Sequence, residues 1–293
     1  MSVNHFLDVD LPIIQAPMAG VQDNALAIAV SSAGGLGSLP CAMLSLDRLQ
    51  DELITIQAHV NQPFNVNFFA HTPPTPDPEQ EARWRAALSP YFDEYDINPD
   101  DIAPGPKREP FSHDVADVLE EFTPPIVSFH FGLPSPDLLA RVKSWGSKVL
   151  ASATTLEEAQ WLEARGVNGI IAQGLEAGGH RSMFLSQNLD IQMGTFALLP
   201  QIVQQANVPV IAAGGIADAK GVASALALGA TAVQVGTAYL LCHETKTTPI
   251  HRAALKSNIA HQTAVTNLFS GGFARGIINR VIQEIGPLNQ HTP

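Results

Sequence analysis

Ten histidines occur in this 293-residue chain, and one stands in a run of small residues: Ala172-Gln173-Gly174-Leu175-Glu176-Ala177-Gly178-Gly179-His180-Arg181-Ser182. Glycine and alanine let the backbone approach a flat ligand closely. The imidazole of His180 then faces that ligand, and imidazole is the side chain best matched to proton transfer near neutral pH. The bland alternative is a loop histidine that caps a turn. His130, inside Val127-Ser128-Phe129-His130-Phe131-Gly132, reads as a satisfied wall residue rather than a catalyst. No H-E-x-x-H or clustered His/Asp/Glu spacing suggests a metal.

Two glycine turns carry a second chemistry. Ala213-Gly214-Gly215-Ile216 and Gln234-Val235-Gly236-Thr237 each close an apolar run and lead into a helical one. Backbone N–H groups at such turns bind phosphate, and a Cβ would hold the anion away from them. Two tight turns without a ligand are the alternative. At the start of the chain, Pro12-Ile13-Ile14-Gln15-Ala16-Pro17-Met18-Ala19-Gly20 offers small side chains and one polarizable methionine, a surface suited to an aromatic ring system. Taken alone, it equally fits a buried strand end. Asn67 and Gln173 add amides that both donate and accept.

Eight short apolar runs must position these groups: Ile13–Pro17, Leu36–Pro40, Phe64–Phe69, Ile126–Phe131, Lys148–Ala153, Gly169–Gln173, Val208–Ala213 and Ala232–Val235. Their continuous Val/Ile/Leu/Ala/Phe character suits parallel strands covered on both faces. Helical patterns at Asp23–Ala33, Leu46–His59, Asp114–Phe122, Asp137–Trp145, Thr155–Arg165 and Asp218–Leu228 alternate with them. Several open on a capping residue and stop at glycine. Eight such units predict an α/β fold, a single (β/α)8 TIM barrel, with an open doubly wound sheet as the alternative.

The rhythm breaks after the third strand. Residues 71–110 hold nine of the 22 prolines, nine acidic and four basic side chains, and Tyr91 and Tyr95. This predicts an insertion over 71–111 at the barrel edge where active sites are built, serving as a lid or pocket wall, with a solvated excursion as the alternative. Tyr91 or Tyr95 is expected to approach the pocket. Residues 249–293 read as a C-terminal helical extension of one barrel domain spanning 1–293.

Acidic residues outnumber basic ones 28 to 16, a net charge of −12, which argues against nucleic acid or an anionic membrane as partner. No run approaches the roughly 18 apolar residues of a membrane span, and MSVNHFLDVDLP does not read as a signal peptide. Cys41 and Cys242 lie far apart and read as two reduced core thiols of a cytoplasmic protein.

Together these segments resemble the nitronate monooxygenases, FMN-dependent barrels. The matching stretches are PIIQAPMAG (12–20), SAGGLG (32–37), FNVNFF (64–69), VSFHFGLP (127–134), AQGLEAGGHRS (172–182), AAGGI (212–216) and QVGT (234–237). The pairing of VSFHFGLP with EAGGHR is specific to the class I-like branch. Family members keep glycine after the His-Arg pair, where this chain has Ser182. The resemblance implies FMN, with its phosphate at Gly215, Gly236 and Thr237 and Gln234 beside the phosphate or ribityl chain. Its ring would meet Ala16, Met18, Asn67, Gln173 and Gly178. It implies a small-molecule nitronate and O2 as substrates, a carbonyl compound and nitrite as products, and a flavosemiquinone on the way. His180 takes the position of the catalytic histidine. A neutral nitroalkane would need it as a base, whereas a preformed nitronate would need only positioning.

Other flavin barrels share these turns. An FMN-dependent NAD(P)H oxidoreductase, of quinone-reductase or enoyl-acyl-carrier-protein-reductase type, is the alternative. The second of these would need a basic docking patch, and the sequence shows none. An IMP dehydrogenase type would need a cysteine near the sixth strand, and a non-catalytic flavin binder would yield no nitrite. An anionic substrate on a −12 protein calls for local positive groups, and Arg181 or the helix N-termini are expected to supply them.

Overall fold

The computed structural model describes residues 6–103 and 108–293; the first residues of the N-terminal segment and positions 104–107 of the insertion lie outside the described residues. The eight strands are β1 Ile13–Gln15, β2 Gly37–Pro40, β3 Phe64–Phe69, β4 Ile126–His130, β5 Lys148–Ala153, β6 Gly169–Gln173, β7 Val210–Ala213 and β8 Ala232–Val235. They form one parallel sheet in the order β1-β8-β7-β6-β5-β4-β3-β2. An Ile14–Leu36 bridge brings β1 back to β2, with Gln15 N donating to Leu36 O at 2.9 Å and Leu36 N to Ile13 O at 2.9 Å. The protein is a (β/α)8 barrel. The doubly wound alternative fails because its sheet would have free edges.

The helices follow local chemistry. They are α1 Asn24–Ser32, α2 Leu46–His59, α3 Pro78–Glu94, α4 His113–Phe122, α5 Pro136–Ser144, α6 Leu156–Ala164, α7 Thr195–Gln205, α8 Ala219–Ala227, α9 Pro249–Leu255 and α10 Arg280–Ile285. Asp23, Ser45, Asp77, Ser112, Thr155 and Asp218 each accept a backbone N–H from the first turn that follows. Such caps each contribute about 1 kcal/mol. Thr155 caps α6 through Glu158 N, and the Glu158 carboxylate in turn accepts from Thr154 N and Oγ1, and from Phe184 N and Leu185 N beyond the helix. A capping pattern legible in the sequence thus also anchors the segment that follows the His180 loop.

Alternation along the strands divides the barrel interior into layers. Ile14, Leu36, Ile126, Leu150, Ile171, Ile211 and Ala232 make a dry lower layer, plugged from below by Leu7 and Val9. One or two pleats further up, the same strands present Ser38, Asn65, Asn67, Ser128, Ser152, Gln173 and Gln234. All of these are buried except Gln234, which is partly so. The switch from aliphatic to amide and hydroxyl side chains marks the C-terminal end of the barrel as the working end.

Two elements depart from expectation. The tail is helical only in part. Between α9 and α10, β9 Thr263–Thr266 and β10 Ala274–Ile277 form an antiparallel hairpin, and β10 pairs with Gly179–His180. The β-branched run Thr263-Ala264-Val265-Thr266 favours an extended chain, and its partner comes from the loop after β6. The proline-rich insertion contains α3, a helix with no buried residue. Pro78 occupies its first turn, where a missing N–H costs nothing. The helix packs on the tail: Arg280 makes a bidentate pair with Glu94 at 2.6 and 2.7 Å, and Tyr91 Oη donates to Glu284 at 2.7 Å. Tyr91 therefore faces α10, and Tyr95 is exposed.

Candidate active site at the barrel mouth

The loop after β6 is held from several sides. Gln173 Nε2 donates to His180 O at 3.0 Å, and its Oε1 accepts from Ser182 N at 2.9 Å. His130 Nε2 lies 3.3 Å from the same carbonyl, with Ser152 Oγ 3.3 Å from His130 Nδ1. A carbonyl only accepts, so His130 carries its proton on Nε2 and is neutral. Burial pushes its pKa down to about 4. His130 is a satisfied wall residue, as its apolar strand suggested. The β10 pairing completes the frame, with Arg181 N donating to Phe273 O at 2.8 Å.

Arg181 does not reach the solvent at the mouth, because it is buried at 2% exposure. Its guanidinium donates to the carbonyls of Gln173 and Gly174 and to Gln192 Oε1. Burial lowers its pKa to about 10, so it stays charged, clamping the base of the loop. Among the described residues, Arg108 is a cation whose field adds to burial in lowering the His180 pKa below its ordinary value. Arg108 is exposed and stands near the return of the insertion, where Phe111 N donates to Phe69 O at 2.8 Å. Its backbone lies against the His71 ring. The ends of the insertion border the mouth.

Phe131 sits at the centre of this border. Its φ of 67° is a left-handed conformation that a bulky residue seldom adopts. The strain is held by Phe131 N donating to Ser182 Oγ at 3.1 Å, a bond that glycine at position 182 could not make. The ring is thereby set edge-on to its neighbours, 6.1 Å from His180, 6.1 Å from His71 and 5.2 Å from Phe69. Ser182 is fully buried and adapts the loop without strain of its own.

The remaining sequence-selected residues come from five strands. A Cβ placed on Gly236 would lie 3.4 Å from Ala16 Cβ and 3.9 Å from Met18 Sδ; one on Gly178 would lie 3.0 Å from Thr237 Oγ1. Gly214 and Gly215 both take positive φ, 112° and 70°, so these turn positions favour glycine. Thr195 and Glu176 brace them: Thr195 Oγ1 contacts Gly214 O at 2.9 Å and Glu176 Oε2 at 3.0 Å. Asp218 caps α8, whereas no side chain caps the short turn Thr237–Leu241 that follows Gly236. Gln234 Oε1 is buried without a hydrogen-bond partner. Asn67 lies across the barrel, its Nδ2 on Ser128 Oγ at 2.9 Å.

Sequence reasoning missed Phe131, His71, Arg108, Gln22 and Ser270. Gln22 accepts from Met18 N and Gln15 Nε2 and fixes the turn after β1; only its place after the Ala-Pro-Met-Ala-Gly run pointed to it. Ser270 Oγ lies 2.8 Å from His180 Nε2. Of the two cysteines, Cys41 is buried, but Cys242 is partly exposed and so is not a core thiol.

A profile of the nitronate monooxygenase family matches residues 2–292. The chain belongs to that family. A nitronate monooxygenase of Paraburkholderia phytofirmans is 45% identical over 93% of this chain and 75% of its own length. One from Pseudomonas aeruginosa is 42% identical over 94% and 79%. Among solved structures, nitroalkane oxidase from Streptomyces ansochromogenes superposes with a TM-score of 0.87 at 36% identity, covering 100% of this chain and 82% of that one. FabK from Thermotoga maritima gives 0.73 at 28% identity, covering 97% and 76%. As a nitronate monooxygenase family member the protein is an oxidoreductase. Among the described residues no helix is long and apolar enough to cross a membrane.

Proposed function

We propose that this enzyme uses FMN and O2 to oxidise small alkyl nitronates, propionate 3-nitronate among them, to a carbonyl compound and nitrite. We further propose that it takes neutral nitroalkanes with His180 as the base. The observation that carries this reading is His180 itself. It is held at the mouth through its backbone, its imidazole is kept neutral by burial and by Arg108, and the loop that carries it packs on the glycine turns. A neutral imidazole is the form able to accept a proton.

The residues present fit FMN. The unpaired Gln234 Oε1 needs a donor, which a ribityl hydroxyl supplies. The uncapped turn at Gly236 and Thr237, together with Gly215, suits the phosphate, and the missing Cβ atoms at Gly178 and Gly236 leave room beside Ala16 and Met18. Asn67 Oδ1 is available to a ring N–H. Gln173 serves the ring less directly, since its amide already holds the loop. Bound FMN would supply the redox chemistry, accepting an electron from the nitronate and passing electrons to O2. The protein's part is to orient the anion, with Arg108 as the local positive charge and the rings of Phe131 and Phe69 excluding water.

An NAD(P)H oxidoreductase on the same barrel is separated by anaerobic mixing of the FMN-loaded enzyme with NADH or with a nitronate. Bleaching of the flavin by nitronate and not by NADH is expected. Rapid bleaching by NADH alone would overturn the proposal.

A further inference from the structure

His180 Nε2 lies 2.8 Å from Ser270 Oγ, in the turn between β9 and β10, and Ser270 Oγ lies 3.2 Å from Gly272 O. The carbonyl can only accept, so the serine hydroxyl hydrogen goes to Gly272 and the serine oxygen accepts from the imidazole. We propose that Ser270 is a positioning residue that fixes His180 as its Nε2–H tautomer and leaves Nδ1 as the basic nitrogen. The inference rests on the reading of His180 as a base and adds which atom does the work.

The arrangement belongs to the fold and not to a chance rotamer. β10 places Ala274 opposite His180 and Arg275 opposite Gly179, which fixes the turn relative to the loop. Arg275 Nε donates to Leu175 O at 3.0 Å, tying the same hairpin to the other end of the loop. Gly271 takes a φ of 71° and donates to Asn267 O at 3.0 Å, closing the turn that carries Ser270. Gly272 has no side chain, and a Cβ there would lie 3.6 Å from His180 Cδ2, so the turn backs directly onto the imidazole. The groups facing His180 from other elements leave the assignment intact. His130 engages its carbonyl, Phe131 presents a ring edge, and Arg108 acts as a charge.

The step then balances. The α-proton of a neutral nitroalkane passes to Nδ1. The C–H electron pair becomes the C=N bond, and an N–O pair moves onto oxygen, giving the nitronate. The imidazolium formed still donates to Ser270 through Nε2. Without Ser270 the proton distributes between the two nitrogens, and the fraction with a free Nδ1 falls.

The test is two-bond 1H–15N correlation of 15N-histidine-labelled, FMN-loaded enzyme, with the His180 signals identified by their absence in His180→Asn. The wild type should show the Nε2–H pattern, Ser270→Ala should lose it, and Ser270→Thr, which keeps the hydroxyl, should restore it. An Nδ1–H pattern in the wild type, or a Ser270→Ala pattern unchanged from it, would overturn the proposal. Kinetically, Ser270→Ala should lose about threefold or more in kcat on nitroethane, as the fraction of His180 in the productive tautomer falls. Nitronate turnover should stay within about twofold. Equal losses on both substrates would reduce Ser270 to a shaping role and overturn it. If His180→Asn leaves nitroethane turnover intact, the base reading alone falls, and the spectra judge the tautomer on their own.

Discussion

Replacing His180 by asparagine separates proton transfer from everything else the loop does. The backbone at this position is held by Gln173 Nε2, by His130 and by the pairing with Ala274, none of which involves the imidazole. The loop therefore stays in place, and the loss is confined to the side chain. General-base catalysis by a positioned group is worth about 10²–10⁴-fold, or roughly 3–5 kcal/mol of barrier. The kcat/KM for nitroethane should fall by that amount, while kcat/KM for ethyl nitronate, which has no proton to give up, should fall less than about tenfold. The sign of the pH dependence follows from the same environment. Burial, and secondarily Arg108, lower the His180 pKa, so the base is free to a lower pH than an ordinary histidine. Nitroethane kcat/KM should rise with pH to a plateau reached below the usual histidine range, and this rise should be absent in His180→Asn. Nitrite release measured on both substrates decides it. Equal losses on the two would refute the reasoning.

Other outcomes follow from the surrounding residues. Gly178→Val should weaken FMN binding by about tenfold or more, because its side chain enters the space beside Thr237; fluorescence titration that finds an unchanged Kd would remove Gly178 from the site. Arg108→Ala should raise KM for nitronate several-fold with kcat nearly unchanged, and shift the nitroethane pH rise upward; no change in either would show that Arg108 acts on neither the anion nor His180. His130 makes the fold acid-sensitive. Its native pKa of about 4 lies below the unfolded value of 6.5, so between these values the unfolded chain binds the extra proton and stability falls as pH falls. The loss is about 2–3 kcal/mol after allowing for the exposed part of the ring. Urea denaturation of wild type and His130→Gln across this window should show the wild type losing more.

The barrel was legible because each strand is a short apolar run bounded by glycine, proline or a capping residue, so local pattern and tertiary role agree. Strand ends such as those of β3, β5, β6 and β8 match the sequence reading residue for residue. The glycines of the cofactor edge were legible for the same reason: their backbone roles are local. The tail hairpin was not. Its partner, Gly179–His180, is two residues long and lies far away in sequence, and no periodicity announces such a pairing. Arg181 was misassigned because a charge beside a histidine looks functional until its burial against carbonyls is known. The contact of Tyr91 was not legible because its partner, Glu284, lies on the tail helix. Ser270 and Arg108 reach His180 from segments with no motif of their own.

The central claim is tested most directly by nitrite release in air from propionate 3-nitronate by the FMN-loaded protein. The account predicts sustained nitrite formation that depends on both bound FMN and O2. A yellow, folded enzyme that releases no nitrite from this substrate or from simple alkyl nitronates would contradict it.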